Sequence, residues 1–313
     1  MEQGSWIAYH PLTPVADGSP IEFDVGASGE DYIDFANTML YVKAEITTAD
    51  GNNLANDSPI GPSNLFLNSL FSHVDVSLNG TLITASTTTY SYCAMMETLL
   101  SYGEDAKRTQ LTSGLFYKDC AGRMVSVDLA DNAANDGMLK RRALGLESRT
   151  FNMMGLLYAD IFFKDRYIIL ADAKTFERSP AKYPIRRVVC KSFTIPQNYL
   201  DVSHKKLFSG QLPTRIVIGL VDNRAYNGDR QRNPFNFQHF NLNEIAVYLD
   251  GQQQHAVRPV QPDYGLGLYI RAYNSMFAGT GKLCKDERLY ISREDILTNT
   301  LCTRLISPQI SAE

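Results

Sequence analysis

The chain has 313 residues, 44% hydrophobic and 20% charged, with a formal net charge of -4. That length can bury one large core or two modest ones and favours two domains. The slightly acidic balance gives no electrostatic reason for the body of the protein to grip nucleic acid.

The first six residues carry no basic segment leading into an apolar stretch, and no run reaches the length of a membrane helix. The chain therefore reads as made and kept in the cytosol or nucleus. Aromatics are 11% of the chain, 17 Tyr and 15 Phe against one Trp, and with the many Val, Ile and Thr they lean toward strands. Leu40, Val42, Ala44 and Ile46 alternate with Tyr41, Lys43, Glu45 and Thr47, which turns one strand face to a core and the other to water. Asp50-Gly51 ends that strand in a tight turn. Residues 64–71 are apolar-rich and leave helix and strand both open. Val74, Val76 and Leu78 then alternate with Asp75, Ser77 and Asn79; Asn79-Gly80 signals a hairpin, and Leu82-Ile83 begins the return strand.

From residue 90 to 102 the period changes. Tyr92, Met95, Met96, Leu99 and Leu100 fall at spacings of three and four, which predicts a short helix stopped by Gly103. Residues 121–137, rich in Asp, Asn, Ala and Gly, read as an exposed loop, and residues 153–170 as buried strand. Arg178, Ser179, Pro180 and Pro184 break the pattern and place a domain boundary, giving modules at 1–178 and 179–313. In the second module, residues 188–195 and 216–221 predict strands, and Ile245, Val247 and Leu249 alternate into Asp250-Gly251.

These patterns repeat. Val74-Asp75-Val76-Ser77-Leu78-Asn79-Gly80 and Ile245-Ala246-Val247-Tyr248-Leu249-Asp250-Gly251 are both alternating strands running into a tight turn, 171 residues apart by Gly251 minus Gly80. An apolar segment opened by Asn precedes each, at Asn64 and Asn236, and an aromatic amphipathic stretch follows each, at residues 90–103 and 269–279. Two copies of one antiparallel module fit two jelly rolls better than a propeller, whose blades repeat at shorter periods.

Residues 31–46, 64–80 (NLFLNSLFSHVDVSLNG), 97–103 (ETLLSYG), 181–193 (AKYPIRRVVCKSF), 210–219 (GQLPTRIVIG) and 233–251 together resemble the hexon-like major capsid proteins of polinton and adintovirus-type elements. Copies of such genes also sit in animal genomes. The resemblance covers most of the chain and implies an all-β double jelly roll with short helices in the connections. It implies a subunit that assembles as a homotrimer into pseudo-hexagonal capsomers and a capsid lattice, with partners such as a penton protein. Its place would be the virion, after cytoplasmic synthesis and with nuclear assembly possible. Against that pattern, strands between residues 170 and 181 and after residue 306 are missing, which would leave unpaired sheet edges. A decayed copy that does not assemble, or a jelly-roll module binding carbohydrate or protein, are the alternatives.

No residue is assigned a catalytic, cofactor or metal role, and the chain reads as a structural protein, not an enzyme. His10, His73, His204, His239 and His255 are far apart and outside any metal-binding motif. Cys93, Cys120, Cys190, Cys284 and Cys302 are scattered and odd in number, and read as reduced, buried thiols. Gly279-Thr280-Gly281-Lys282 resembles a phosphate loop, but Met276 stands where the first glycine belongs and Leu283 where Ser or Thr belongs, so it reads as a loop. The acid pairs Glu104-Asp105 and Glu294-Asp295 read as turn or helix-cap residues, Ser292 opening a helix. Lys140-Arg141-Arg142 reads as a solvated charge run, with an import signal or a nucleic-acid contact as alternatives. Arg186-Arg187 reads as a pair facing a neighbouring subunit.

Overall fold

A computed structural model describes residues 5–16, 18–26, 32–84, 87–124, 134–163, 168–169, 185–208, 213–249, 252–253, 260–283 and 289–297. In chain order the elements are β1 (Tyr32–Ile33), β2 (Met39–Ala44), α1 (Phe66–Ser69), β3 (Ser77–Leu78), β4 (Thr81–Leu82), α2 (Tyr90–Ser101), α3 (Glu104–Arg108) and α4 (Asp136–Leu144). They continue with β5 (Phe151–Leu156), β6 (Ile168–Ile169), α5 (Asn223–Tyr226), β7 (Tyr248–Leu249), β8 (Gln252–Gln253), α6 (Ile270–Thr280) and α7 (Arg293–Leu297). The chain forms two compact units, Met1–Thr38 with Ala159–Arg187, and Met39–Tyr158 with Val188–Glu313. The boundary expected between residues 178 and 179 lies outside the described residues.

In the first unit β1 pairs antiparallel with β6, Tyr32 opposite Ile169 and Ile33 opposite Ile168. Asp34 caps the 3-10 turn that follows by accepting from the Ala36 N–H at 3.1 Å. The Phe35 ring meets the edge of Phe162 at 5.9 Å. Phe162 lies on a second 3-10 turn, Asp160–Phe163, where the sequence pattern predicts strand. An apolar run without a clear period fits a buried strand or a buried turn equally, and here the Phe162 N–H closes a turn onto the Ala159 carbonyl at 2.9 Å.

In the second unit β2 and β5 form a six-pair antiparallel ladder from Met39 opposite Leu156 to Ala44 opposite Phe151. As the alternation predicts, Leu40, Val42 and Ala44 turn inward, onto Leu67, Leu115, Phe151 and Met153. The ambiguous segment at residues 64–71 resolves as the single turn α1, entered through Leu65 in the left-handed region at φ 51°. β3 and β4 form the expected hairpin, Ser77 opposite Leu82 and Leu78 opposite Thr81, with Asn79 at φ 48° and Gly80 at φ 73°. Both turn residues have the positive φ of a type I′ turn, which an Asn-Gly pair accepts at least cost.

β7 and β8 repeat that hairpin, with Tyr248 opposite Gln253 and Leu249 opposite Gln252. The register is the same displaced by 171 residues, since 248 minus 77 and 253 minus 82 both equal 171. The turn residues Asp250 and Gly251 lie outside the described residues. Each hairpin is followed by a helix, α2 or α6, and the two helices share one core. Leu65, Met95 and Phe116 from the first half meet Phe237, Tyr269, Met276 and Leu289 from the second.

Among the described residues every sheet is two-stranded. Residues 188–195, expected as a strand, form no ladder among the described residues, and Val221 joins Phe237 through an isolated bridge. Strand-forming side chains mark a segment able to pair, but a ladder also needs a neighbour in register. α4 begins inside the segment expected as an exposed loop: Asn135 is fully buried and Gly137 is buried behind it. A Cβ at Gly137 would stand 2.5 Å from the Lys118 carbonyl oxygen, so only glycine lets the two backbones approach.

Leu67 is 1% exposed at the centre of the β2–β5 core. Leu67→Ala is expected to lower unfolding free energy by about 2–5 kcal/mol in a urea titration, without changing its slope.

Candidate functional site

The most organised cluster of polar side chains surrounds Asp119. One carboxylate oxygen, Oδ1, accepts from Arg141 Nη2 at 2.7 Å and Asn135 Nδ2 at 2.8 Å. The other, Oδ2, accepts from Asn233 Nδ2 at 3.1 Å and Asn64 Nδ2 at 3.3 Å. An ionised carboxylate offers about four lone-pair sites, and all are filled. The side chains of Arg141 and Asp119 are 0% and 4% exposed, so this charge pair is dry.

Each donor also orders a piece of backbone. Asn64 Oδ1 accepts from the Leu65 and Tyr117 N–H groups at 2.9 and 3.0 Å, which holds Leu65 in its left-handed conformation. Asn135 Oδ1 accepts from the Cys120 N–H, and Asn233 Oδ1 from the Phe235 N–H, both at 2.9 Å. Arg141 donates through Nε to the Pro62 carbonyl at 2.9 Å and through Nη1 to the Tyr117 carbonyl at 3.0 Å.

The basic cluster therefore has a different meaning from the solvated run expected. Only Lys140 is solvated, paired with Asp136 at 2.7 Å. Arg141 is buried, and Arg142 is nearly so, donating to the Ser58 and Asn56 carbonyls at 2.8 and 2.6 Å. Adjacent helical residues point in different directions, so a row of three basic residues is not one surface. Arg186 and Arg187 are exposed.

The other singled-out residues are dispersed. Glu104 opens α3 and pairs with Arg108 at 2.8 Å. Ser292 and Asp295 form a reciprocal cap on α7, and Asp295 also pairs with Lys118 at 2.7 Å. Gly281, expected in a loop, ends α6 as its left-handed cap at φ 72°, and the Lys282 amine donates to the Ser101 carbonyl at 2.7 Å. His10 and His73 are exposed, the His239 ring stacks on Tyr264 at 4.0 Å, His204 lies against Phe193, and His255 is outside the described residues. Cys93, Cys120 and Cys190 are half-buried thiols, and Cys284 and Cys302 are outside the described residues. Among the described residues no three His, Cys, Asp or Glu side chains are grouped to hold a metal ion. Among them, too, no helix is long and apolar enough to cross a membrane.

Lys107 is the charged group that sequence reasoning missed. It is buried, and its amine donates to the Leu99 carbonyl at 2.7 Å and the Leu289 carbonyl at 2.6 Å. Burial, together with the nearby charges of Lys282 and Lys118, pushes it down from 10.5 to about 7. It borders a small cavity of about 40 Å³ that Met95, Phe116, Asp119 and Phe235 also line. That is room for a few waters, not for an organic substrate. A lone lysine between a short helix and a polar loop carries no sequence signal of burial.

The chain is similar to uncharacterized protein F54H12.2 of Caenorhabditis elegans, 25% identical over 318 aligned residues that cover 87% of this chain and 76% of the nematode protein. No protein-family model matches the chain. No solved structure matches it.

Arg141→Met leaves Asp119 charged and buried without its cation, and an unfolding titration is expected to show a loss of about 3–5 kcal/mol. Lys140→Ala should stay within about 0.5 kcal/mol of the parent. Lys107 gives a pH test. The folded amine loses its proton near 7 and the unfolded one near 10.5, so between these values the unfolded chain binds more protons and stability rises with pH. The thermal midpoint should climb from pH 7 toward pH 10, and Lys107→Met should flatten most of that climb.

Proposed function

We propose that the chain is a structural, self-assembling shell subunit of the hexon-like double jelly-roll kind, working through extended subunit surfaces and not through a cleft. The observation that carries this reading is the internal repeat. Two hairpins in the same register, displaced by 171 residues and each followed by a core helix, are what duplication of one β-module produces. The first strand of each hairpin, β3 and β7, falls within the segments that resemble polinton and adintovirus-type capsid proteins. The all-β expectation for the complete fold belongs to this proposal; the described sheets are each two-stranded.

Exposed apolar side chains support assembly. In the second unit Val188, Val189, Phe193, Ile195 and Tyr199 are exposed within one stretch, and Leu200 is 100% exposed. Leu266 and Leu268 add a second group. Apolar surface concentrated in this way marks contact surface, because leaving it in water costs about 25 cal/mol per Å². In the proposed trimer, facing subunits cover it.

Light scattering on a gel-filtered sample decides the matter. A species at three times the 35.0 kDa chain mass is the expected result. A monodisperse monomer across the micromolar range would sink the capsomer reading in favour of a binding module or a non-assembling copy.

A further inference from the structure

Cys93 and Cys190 are 97 residues apart (190 minus 93), yet their thiols are hydrogen-bonded to each other. Cys93 sits in the first turn of α2, its N–H donating to the Thr89 carbonyl at 3.1 Å. The Thr89 hydroxyl reaches the Cys190 carbonyl at 3.4 Å, so the backbone at residue 190 is held against that same turn. Two residues on, Ser192 Oγ bonds the Tyr226 hydroxyl at 2.9 Å, and the Tyr226 ring stacks at 5.3 Å on Tyr92, the neighbour of Cys93. Hydroxyl, ring and sulfur contacts thus lay the segment around Cys190 across α2. Both thiols are half-buried.

We propose that Cys93 and Cys190 form a peroxide-responsive dithiol that closes to a disulfide and clamps the segment at residues 188–195 onto helix α2. The hydrogen bond from Cys93 holds the Cys190 thiol below its ordinary value, which favours Cys190 as the nucleophile of the pair. Its thiolate attacks one oxygen of a hydroperoxide. An S–O bond forms, the O–O bond breaks, and the leaving oxygen takes a proton to depart as water or an alcohol. Sulfur is oxidised to a sulfenic acid and the peroxide is reduced. Cys93 then attacks that sulfur; the S–S bond forms, the S–O bond breaks, and the hydroxide leaves as water with the Cys93 proton. Two thiols and one hydroperoxide become one disulfide, one water and one further water or alcohol.

This device is independent of the capsid reading, although the clamped segment carries Val188, Val189, Phe193 and Ile195, the exposed apolar side chains invoked there. Closure would hold that surface in one arrangement and, by cross-linking a loop of 97 residues, raise resistance to unfolding.

The experiment treats the reduced full-length chain with hydrogen peroxide and maps its peptides without reduction. Expected are a peptide linking Cys93 to Cys190, loss of two thiols per chain, and reversal by dithiothreitol. The thermal midpoint should rise on oxidation. Cys120→Ser should keep the link. In Cys93→Ser, Cys190 should stop at a sulfenic acid that dimedone traps, a readout that a folding defect alone would not create. Iodoacetamide labelling of Cys190 in the reduced protein should rise through a midpoint below the 9.0 of an ordinary thiol. The proposal is overturned if peroxide leaves both thiols reduced, if they overoxidise without linking, or if Cys190 pairs with another cysteine.

Discussion

A buried carboxylate, that of Asp119, organises the second unit of this protein. Removing Asp119 and Arg141 from solvent costs several kcal/mol per ion, and the attraction across 2.7 Å offsets that cost only while every remaining donor and acceptor is matched. Three asparagine amides complete the match, and they come from residues 64, 135 and 233, far apart in the chain. Four segments must therefore arrive in one arrangement: the entry to α1, the stretch around Asp119, the start of α4, and the loop carrying Asn233. An apolar cluster of equal volume would tolerate several registers; a carboxylate with four fixed donors tolerates one. The pair fixes geometry more than it adds stability.

The geometry so fixed also joins the two halves of the repeat. Asn64 and Asn233 approach the same carboxylate oxygen from the first and second halves of the chain. α2 and α6 share the apolar core; Lys282, just past the cap of α6, donates to the Ser101 carbonyl at the end of α2, and Lys107 bridges the Leu99 carbonyl of α2 and the Leu289 carbonyl beyond α6. Cations at helix C-terminal carbonyls are favoured by the helix dipole as well as by the hydrogen bonds. Within this unit the two helices pack into one core. The buried charged groups Asp119, Arg141, Arg142 and Lys107 are consumed by structure, and exposed apolar side chains include those on residues 188–200 and 266–268.

Much of the second unit was legible in the residues. The alternation over Leu40–Ile46 foretold the inward face of β2, Asn79-Gly80 foretold the first hairpin, and the three-and-four spacing of Tyr92 to Leu100 foretold α2. These signals are local: a period or a turn preference acts within a few residues and needs no partner from elsewhere. The segments read incorrectly were those in which a distant partner decides. Lys140-Arg141-Arg142 scores as surface charge until Asp119 and the loop carbonyls of residues 56–62 are brought to it. Asn135 and Gly137 score as loop until the backbone of residues 118–124 packs over them. Cys93 and Cys190 look scattered at 97 positions apart and become a pair only when residue 190 crosses α2.

By itself, then, the sequence determined the period, the turns and the repeat, because side-chain alternation and positive-φ tolerance are properties of neighbouring residues. The tertiary structure alone decided which charges are buried, which thiols touch, and which strand-forming segments find a ladder. Burial and pairing depend on what arrives from the far end of the chain, and desolvation changes a lysine or an arginine from a surface residue into a structural tie.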